Sequence, residues 1–400
     1  MYNLLDGLKI IEASSFLASP TAGLYCAQFG ADVVRVDQIG GGPDFHRWPV
    51  TEANDSLYWE NLNRGKKSLA LDLSVPQGQE LLKELVRATG QFITNFPAEG
   101  FLSHATLAEG RPDLVTVRVM GWADGAPALD YTVNNAVGFP MMTGVGPEPV
   151  NHVLPAWDLI SGGYAAFAML AAIRRREQTG EGIEVRIPLS DVAIGTVANI
   201  GGIAEVLHKD ANRPRLGNAV YGLFGRDFVT KDGVRTMIVV VTHRQWANLL
   251  SALGLAHAVR AVEAERGVCF DQDDGLRFEH RDALFPLFER AIGALEHAVL
   301  AALLDGRGVV HSAYRTMLDA AHDPRLVGEN SMFADFDANP SGLGYPAAGA
   351  FATIPQMQRS DAQGAPHNGQ HSEEILSDML GLSSGEIARL IDSGTVGIAQ

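Results

Sequence analysis

The start of the chain combines two short hydrophobic runs with a helical run between them. Residues 7–12 (GLKIIE) and 32–37 (DVVRVD) have the length and composition of strands, and residues 21–29 are typical of a helix that ends at Gly30. Parallel neighbouring strands require a crossover connection of this kind. This order therefore predicts an α/β fold built on a parallel sheet.

The same alternation continues along the first half of the chain. Further strands are predicted at 69–73, 91–96, 114–120 and 183–189, and helices at 74–88 and 192–207. Together these segments predict a Rossmann-like large domain. No GxGxxG motif follows the first strand, so we expect no nicotinamide or flavin dinucleotide.

The composition changes after residue 207. Residues 208–225 are polar and rich in turn-forming residues, which predicts a linker. Residues 226–330 combine a predicted β-hairpin with several helices and therefore predict a smaller α+β domain. Residues 331–400 are expected to return to the large domain, whose first part spans 1–207.

The charge balance limits the ligands and partners that the protein can take. The formal net charge is −16, which disfavours nucleic acid and anionic membranes as partners. An anionic ligand would need a local cluster of cations. Arg64, Lys66 and Lys67 form one, although such a run is most often a solvated loop.

The cysteines, the apolar segments and the N-terminus together predict the cellular compartment. Cys26 and Cys269 have no metal-ligand spacing, and we interpret both as reduced, buried thiols of a cytoplasmic protein. We see no apolar run of about 18 residues, which would span a membrane. The N-terminus lacks the basic region and cleavage site of an export signal.

One carboxylate precedes a long run of small residues. Asp158 follows Pro155 and is followed by an Ala-rich segment that ends in three arginines, which suit a helix C-terminus. A Thr-Gly-x-Gly turn and the alternating strand at 183–189 come next. Asp is a favoured N-cap residue, and on spacing alone capping is the stronger interpretation of Asp158.

The complete segment carries more information than the carboxylate alone. The order Pro-x-x-Asp, Gly-Gly, Ala-rich helix, Arg-x-x-x-Thr-Gly-x-Gly and strand resembles the catalytic segment of the family III CoA-transferases of the CaiB/BaiF type. The resemblance covers nearly the whole chain. It implies that Asp158 is a covalent nucleophile, that the chain forms an interlocked homodimer, and that neither a metal nor a permanently bound cofactor is needed, since coenzyme A is part of the substrate.

The resemblance also implies a set of CoA contacts. Arg35 matches the residue at the adenosine-phosphate end of CoA, and the pattern Asn-x-x-Lys-x-Ser-x-x-Leu-Asp places Lys66 and Leu71 near the cofactor. Asn95 and Phe96 match the pair beside the pantetheine arm. The basic residue that usually follows this pair is absent here, so one CoA contact is missing.

A narrower resemblance points to the acyl group. The segments IGGGPDFHRWPVT, SLYWENLNRGK, VNHVLPAWD and RPRLGNAVYGLFGRDF are similar to family members that move CoA between the two carboxyls of one mesaconate. Leu17 replaces a common Gln and is expected to suit a methyl-bearing acyl group. Arg47, Arg213 and Arg215 are candidates for holding the free carboxylate. The mobile glycine-rich loop of the best-studied transferases is absent.

Three alternatives stay open. An intermolecular CoA-transferase would use a different acid, and a non-catalytic CoA-binding protein would give Asp158 no role. An α-methylacyl-CoA racemase would share the fold, but racemases carry a His-Asp pair where this chain has Leu129-Asp130. Leucine cannot move a proton, which argues against racemisation.

The implied mechanism makes two physical demands on the site. A carboxylate nucleophile needs no activating base, because we expect Asp158 to be ionised near neutral pH at a helix N-terminus. The oxyanion that forms needs hydrogen-bond donors, and the backbone N–H groups at the same helix start are the predicted donors.

Overall fold

The computed structural model describes residues 1–399. Its strands are β1 (Lys9–Ala13), β2 (Asp32–Asp37), β3 (Lys67–Leu71), β4 (Gln91–Thr94), β5 (Val115–Met120), β6 (Ile183–Pro188), β7 (Phe224–Val229), β8 (Arg235–Val240), β9 (Val310–Ala313), β10 (Phe333–Phe336), β11 (Tyr345–Ala348) and β12 (Val396–Gly397).

The helices follow in the same chain order. They are α1 (Ala18–Gln28), α2 (Leu57–Leu62), α3 (Pro76–Thr89), α4 (His104–Ala108), α5 (Asp130–Ala136), α6 (Phe139–Met142), α7 (Ala156–Thr179), α8 (Leu189–Asn199), α9 (Gly202–Lys209), α10 (His243–Leu253), α11 (Ala256–Arg266), α12 (Asp274–Glu279), α13 (Arg281–Gly293), α14 (His297–Asp305), α15 (Met317–Ala321), α16 (Ser372–Leu380) and α17 (Ser384–Asp392).

The chain divides into two compact units. The first contains Met1–Val137, His152–Asp210 and the chain from Asp323 onward, and the second contains Gly138–Asn151 and Ala211–His322. The first unit holds a seven-stranded sheet in the order β12-β3-β2-β1-β4-β5-β6. Only β12 runs antiparallel to its neighbour. The predicted α/β class with a parallel-dominated sheet is therefore confirmed.

Both faces of this sheet are covered. Ile10 and Ile11 are successive residues of β1 and point to opposite faces, yet both are fully buried. Helices α1 and α7 cover the Ile10 face, and helices α3, α16 and α17 cover the other. Burial on two sides explains why these strands are almost continuously hydrophobic in the sequence.

Helices α1 and α7 approach each other closely at a glycine. A Cβ atom on Gly162 would lie 2.6 Å from the Cβ of Thr21 and 2.7 Å from the carbonyl oxygen of Ala18. Only glycine leaves room for this contact. The close packing holds the N-terminal half of α7 against the start of α1.

The second unit is built around an antiparallel sheet. Strands β7, β8 and β9 lie in that order, and helices α10, α13 and α14 contribute to its core. Phe224, Trp246 and Phe288 are fully buried there. Two further strands, β10 and β11, form a separate antiparallel pair in the first unit.

The helix predicted at 192–207 is wrong as a single element. Helix α8 ends at Asn199 and α9 begins at Gly202, with an angle of 66° between them. Gly201 lies at the break with a φ of 80°, a backbone conformation that glycine adopts without strain. The apolar pattern runs through this glycine and does not reveal the bend.

Two expectations, about the second cysteine and about long apolar segments, are also corrected. Cys26 is buried, but Cys269 is exposed, so the second thiol does not belong to the core. Helix α7 is long and apolar enough to cross a membrane by length and composition, contrary to the sequence prediction. Half of that apolar segment is buried in the first unit, and one such helix is weak evidence for a membrane span.

Candidate active site

Asp158 lies in the first turn of α7 and does not cap it. Pro155 occupies the N-cap position, and Asp158 is the third residue of the helix. The cap comes from the start of α5, where the Asp130 carboxylate accepts hydrogen bonds from the backbone N–H groups of Trp157 at 2.7 Å and Asp158 at 3.1 Å. The N-cap interpretation of Asp158 is therefore wrong.

The remaining donors of this helix start are also engaged. The backbone N–H of Ala156 donates to the carbonyl of Leu154 at 2.7 Å, and that of Leu159 donates to the carbonyl of Pro155 at 3.2 Å. The first four backbone N–H groups of α7 are thus satisfied within the chain. The prediction that they form the oxyanion hole is wrong for this conformation.

Asp130 receives a third hydrogen bond from a histidine. His152 Nε2 lies 2.6 Å from Asp130 Oδ1, and the Asp130 side chain is almost completely buried. In the sequence, Asp130 was notable only because Leu129 precedes it where racemases carry a histidine. His152 was missed, because it lies 22 residues away and nothing in the local pattern connects the two.

The environment of Asp158 makes it an unusual carboxylate. Its pKa is raised to about 7, chiefly by burial and also by the negative charge of Asp130, while the positive charge of Arg47 acts in the opposite direction. The expectation of an ordinary, fully ionised carboxylate is therefore wrong without ligand. Near neutral pH, the side chain is divided between its protonated and ionised forms.

Arg47, a predicted substrate-binding residue, lies near Asp158. Its guanidinium carbon is 5.3 Å from the ring centroid of Tyr58 and 5.8 Å from that of Phe16, within the range of cation–π attraction. Burial raises the pKa of Tyr58, and the charge of Asp158 adds to the effect. Tyr58 thus belongs to the same site, although no motif in the sequence singled it out.

Arg35 and Lys66 form a buried ion-pair network. Arg35 contacts Glu12 at 2.9 Å, Asp37 at 2.8 Å and Asp44 at 3.5 Å. Lys66 contacts the second oxygen of Glu12 at 2.8 Å. Neither side chain exposes its charge to solvent, so this conformation does not support direct contact with CoA phosphates. Their CoA-binding role stays a prediction.

The other predicted CoA contacts are spread over core and loop. Leu71 is fully buried in β3, and this conformation leaves a ligand no access to its side chain. Asn95 bridges the loop between β1 and α1 by accepting from the backbone N–H of Ser15 at 3.0 Å and donating to its carbonyl at 2.7 Å. Phe96 is half-buried against the core, and Leu17 is buried at the start of α1.

Arg215 lies in the second unit. Its Nε donates to the carbonyl of Met141 at 2.9 Å, and a second nitrogen donates to the carbonyl of Glu148. It lines a cavity of about 600 Å³ together with three other arginines of that unit. The guanidinium of Arg213 lies over the ring of Tyr221, 4.2 Å from its centroid. Contact of either arginine with a substrate carboxylate stays a prediction.

Within residues 1–399, no group of three or more His, Cys, Asp or Glu side chains is arranged to hold a metal ion.

Comparisons with known proteins agree on one family. The sequence profile of CoA-transferase family III matches residues 5–372. A 2-methylfumaryl-CoA isomerase of Chloroflexus aurantiacus is 44% identical over 99% of this chain and 98% of its own length. A succinyl-CoA:mesaconate CoA-transferase of Haloarcula hispanica is 27% identical over 95% of this chain and 97% of its own.

A solved structure agrees in fold. The crystal structure of a CaiB/BaiF family protein from Brucella suis superposes with a TM-score of 0.77 and 24% sequence identity. It covers 95% of this chain and all of its own. At this level of identity, the likeness carries the fold alone.

Proposed function

Because the chain belongs to CoA-transferase family III, we propose that it moves coenzyme A between the C1 and C4 carboxyl groups of one mesaconate, which is 2-methylfumarate. The observation that carries this proposal is the 44% identity, over nearly the full length of both chains, to a 2-methylfumaryl-CoA isomerase. The substrate is an acyl-CoA thioester, and CoA enters and leaves as part of it. The enzyme acts in the cytoplasm without a metal or a permanently bound cofactor.

The first half of the reaction loads CoA onto the enzyme. An ionised Asp158 oxygen attacks the C1 thioester carbonyl, the carbon–sulfur bond breaks, and CoA thiolate leaves a mixed anhydride. The thiolate then attacks the Asp158 carbonyl carbon. Mesaconate leaves as a carboxylate, and Asp158 carries CoA as a thioester.

The second half returns CoA to the other end of the acid. The C4 carboxylate attacks the Asp158 thioester, CoA thiolate leaves, and a second anhydride forms. Attack of the thiolate on the C4 acyl carbon gives mesaconyl-C4-CoA and restores the Asp158 carboxylate. Every step exchanges one carboxylate or thiolate for another, so no net proton is taken up.

The charges around Asp158 support this chemistry. The raised pKa makes the ionised carboxylate a stronger base, and stronger bases are in general better nucleophiles. Arg47 is an exposed residue whose guanidinium would bind the free carboxylate of the acyl group. Leu129, at the position where racemases carry their histidine, is largely exposed and has no acid or base group.

Label exchange distinguishes this isomerase from an intermolecular transferase. We expect mesaconyl-C1-CoA to become mesaconyl-C4-CoA with no added acid, and labelled free mesaconate to enter the product far more slowly than turnover. An acid that stays bound in the site attacks at an effective concentration that can reach about 10⁵ M, which is far above the concentration of any dissolved acid. The measurement follows label in the C4 thioester.

The Asp158→Asn protein is the control for non-enzymatic exchange. Label that appears in the C4 thioester at a rate close to turnover would mean that the acid leaves and re-enters. The protein would then be an intermolecular CoA-transferase.

A homodimer is part of the proposal. Helix α7 exposes Tyr164 and Phe167, and Phe167 lines an apolar groove of about 560 Å³ together with Tyr25 and Phe351. Apolar surface of this kind is costly in water, and a second copy would cover it. Light scattering is expected to give twice the 42.8 kDa of one chain.

A charge in the groove tests which surface mediates the dimer. Phe167→Glu is expected to shift the protein towards the monomer, whereas Val299→Glu, also at an exposed helical position, is not. A wild-type protein that is a stable, active monomer would contradict the proposed assembly.

A further inference from the structure

We propose that His152 is a positioning residue of the transfer reaction and acts on Asp158 through the carboxylate of Asp130. The inference rests on the proposed function, since it assigns a role in the same reaction. It arises from the hydrogen bonds around Asp130, which connect a side chain of the preceding loop to the backbone of the nucleophile.

The Asp130 carboxylate joins three parts of the chain. Its Oδ1 atom accepts from His152 Nε2 at 2.6 Å, while its Oδ2 atom accepts from the backbone N–H groups of Trp157 and Asp158. An ionised carboxylate only accepts hydrogen bonds, so the histidine must carry a proton on Nε2. One oxygen thus holds the helix start, and the other is held by His152.

The imidazole of His152 is held by neighbouring rings. The Tyr131 ring meets it edge-on with centroids 5.7 Å apart, and the Trp157 ring lies with its centroid 6.4 Å away. About a quarter of the His152 side chain is exposed. Its position is therefore set by packing, and it fixes the direction of the Asp130 carboxylate.

A shift of Asp130 reaches the nucleophile directly. The hydrogen bond of 3.1 Å ends on the backbone N–H of Asp158 itself, so a rotated Asp130 carboxylate would release or pull the first turn of α7. Misplacing a reacting group by about 1 Å can cost about 10²-fold in rate. The donor on His152 therefore preserves the angle of attack.

The same hydrogen bond moderates repulsion between two carboxylates. The charged and titratable groups that face Asp158 are Asp130 and Arg47, with the Tyr58 hydroxyl nearby, and His152 contacts the Asp130 oxygen that does not bind the helix start. A donor on Asp130 draws its charge away from Asp158. Without that donor, the repulsion should be stronger and the pKa of Asp158 should rise further.

Two substitutions of His152 separate the effect of its hydrogen bond from the effect of its ring. His152→Phe keeps a ring between Tyr131 and Trp157 but removes the donor, and His152→Gln retains an N–H donor. His104→Phe is the matched control, because His104 is another partly buried histidine of the first unit with one side-chain hydrogen bond, to Thr116 at 2.9 Å.

The measurements are kcat, KM and the pH dependence of kcat with mesaconyl-C1-CoA. We expect His152→Phe to lower kcat by about 10- to 100-fold with KM within about threefold of wild type. The acid limb of the pH profile should move upward by at least about 0.5 pH units. His152→Gln should recover most of kcat and the wild-type position of the acid limb of the pH profile. His104→Phe should leave kcat and the acid limb unchanged.

Either of two results would overturn the inference. A His152→Phe enzyme with the wild-type kcat and acid limb would show that the hydrogen bond does not act on Asp158. A His152→Gln enzyme as slow as His152→Phe, with an unmoved limb, would assign His152 a packing role only.

The test also separates this inference from the proposed function. Wild-type protein that fails to isomerise mesaconyl-CoA would overturn the proposed function alone. The titration of Asp158, followed by carbon-13 NMR of labelled aspartate and assigned with Asp158→Asn, would still report the effect of His152→Phe. An unchanged titration would overturn the inference whatever the substrate is.

Discussion

Replacing Asp158 by Asn is expected to lower the turnover of mesaconyl-C1-CoA by at least about 10³-fold, because an amide cannot attack the thioester. The amide has nearly the same size, and Asp130 still caps the backbone of α7, so the protein should fold. Borohydride or hydroxylamine should trap a CoA thioester on the wild-type side chain and none on the variant. Turnover is followed by chromatography of the two CoA esters.

Asp191→Asn is the matched control for this substitution. Asp191 is the third residue of α8, as Asp158 is the third residue of α7, and it is exposed. Its turnover should equal that of wild type. Near-normal turnover of Asp158→Asn would remove the covalent role and with it the mechanism proposed for this site.

Asp158→Asn should also stabilise the fold at alkaline pH. The folded-state pKa of Asp158 is raised from the ordinary 3.8 to about 7, so the folded protein binds this proton more tightly than the unfolded chain does. Folding stability therefore falls as pH rises through that window. Asn carries no such cost, and Asp158→Asn should unfold at higher urea than wild type at pH 8.

The stability gain should disappear in acid. Below pH 3.8, Asp158 is protonated in both states and its raised pKa no longer affects stability. A variant that is less stable than wild type at pH 8 would contradict the burial and repulsion that we assign to this carboxylate.

Replacing Glu12 by Gln is expected to destabilise the first unit by about 3–5 kcal/mol, the usual cost of removing one partner from a buried ion pair. Glu12 contacts Arg35 with one oxygen and Lys66 with the other, and all three side chains are fully buried. Burial alone would raise the pKa of Glu12, but the charges of Lys66 and Arg35 outweigh it and hold the pKa below its usual value.

The control for Glu12→Gln is a solvent-exposed ion pair. Glu80→Gln removes a carboxylate that contacts Lys83 and Arg87 at the surface of α3, and it should change the free energy of unfolding by less than about 1 kcal/mol. Urea denaturation of both variants at pH 7.5 provides the comparison. If Glu12→Gln and Glu80→Gln have the same free energy of unfolding, the Glu12 network does not contribute specially to stability.

The network also explains a small residue in α1. A Cβ on Gly23 would lie only 1.8 Å from Glu12 Oε2, so the helix can cover this carboxylate only with glycine at that position. From sequence, Lys66 and Arg35 resemble parts of a CoA-binding cluster. The folded chain directs both side chains towards Glu12, and no periodic pattern in the sequence predicts that pairing.

The sequence by itself determined the parallel sheet, the order of its strands along the chain and the presence of a long helix after Pro155. These features depend on local hydrophobic runs, on the helix between β1 and β2 and on the Ala-rich run of α7, which act over short distances. The resemblance to the family added Asp158 as the candidate nucleophile, because its motif is contiguous.

Only the tertiary structure decided which groups surround that nucleophile. Asp130 and His152 come from separate segments, and their contact depends on how α5 and the loop before α7 pack together. The same packing occupies the backbone donors of the helix start and raises the pKa of Asp158. Burial, repulsion and hydrogen bonding depend on distances in space, which residue order along a chain does not specify.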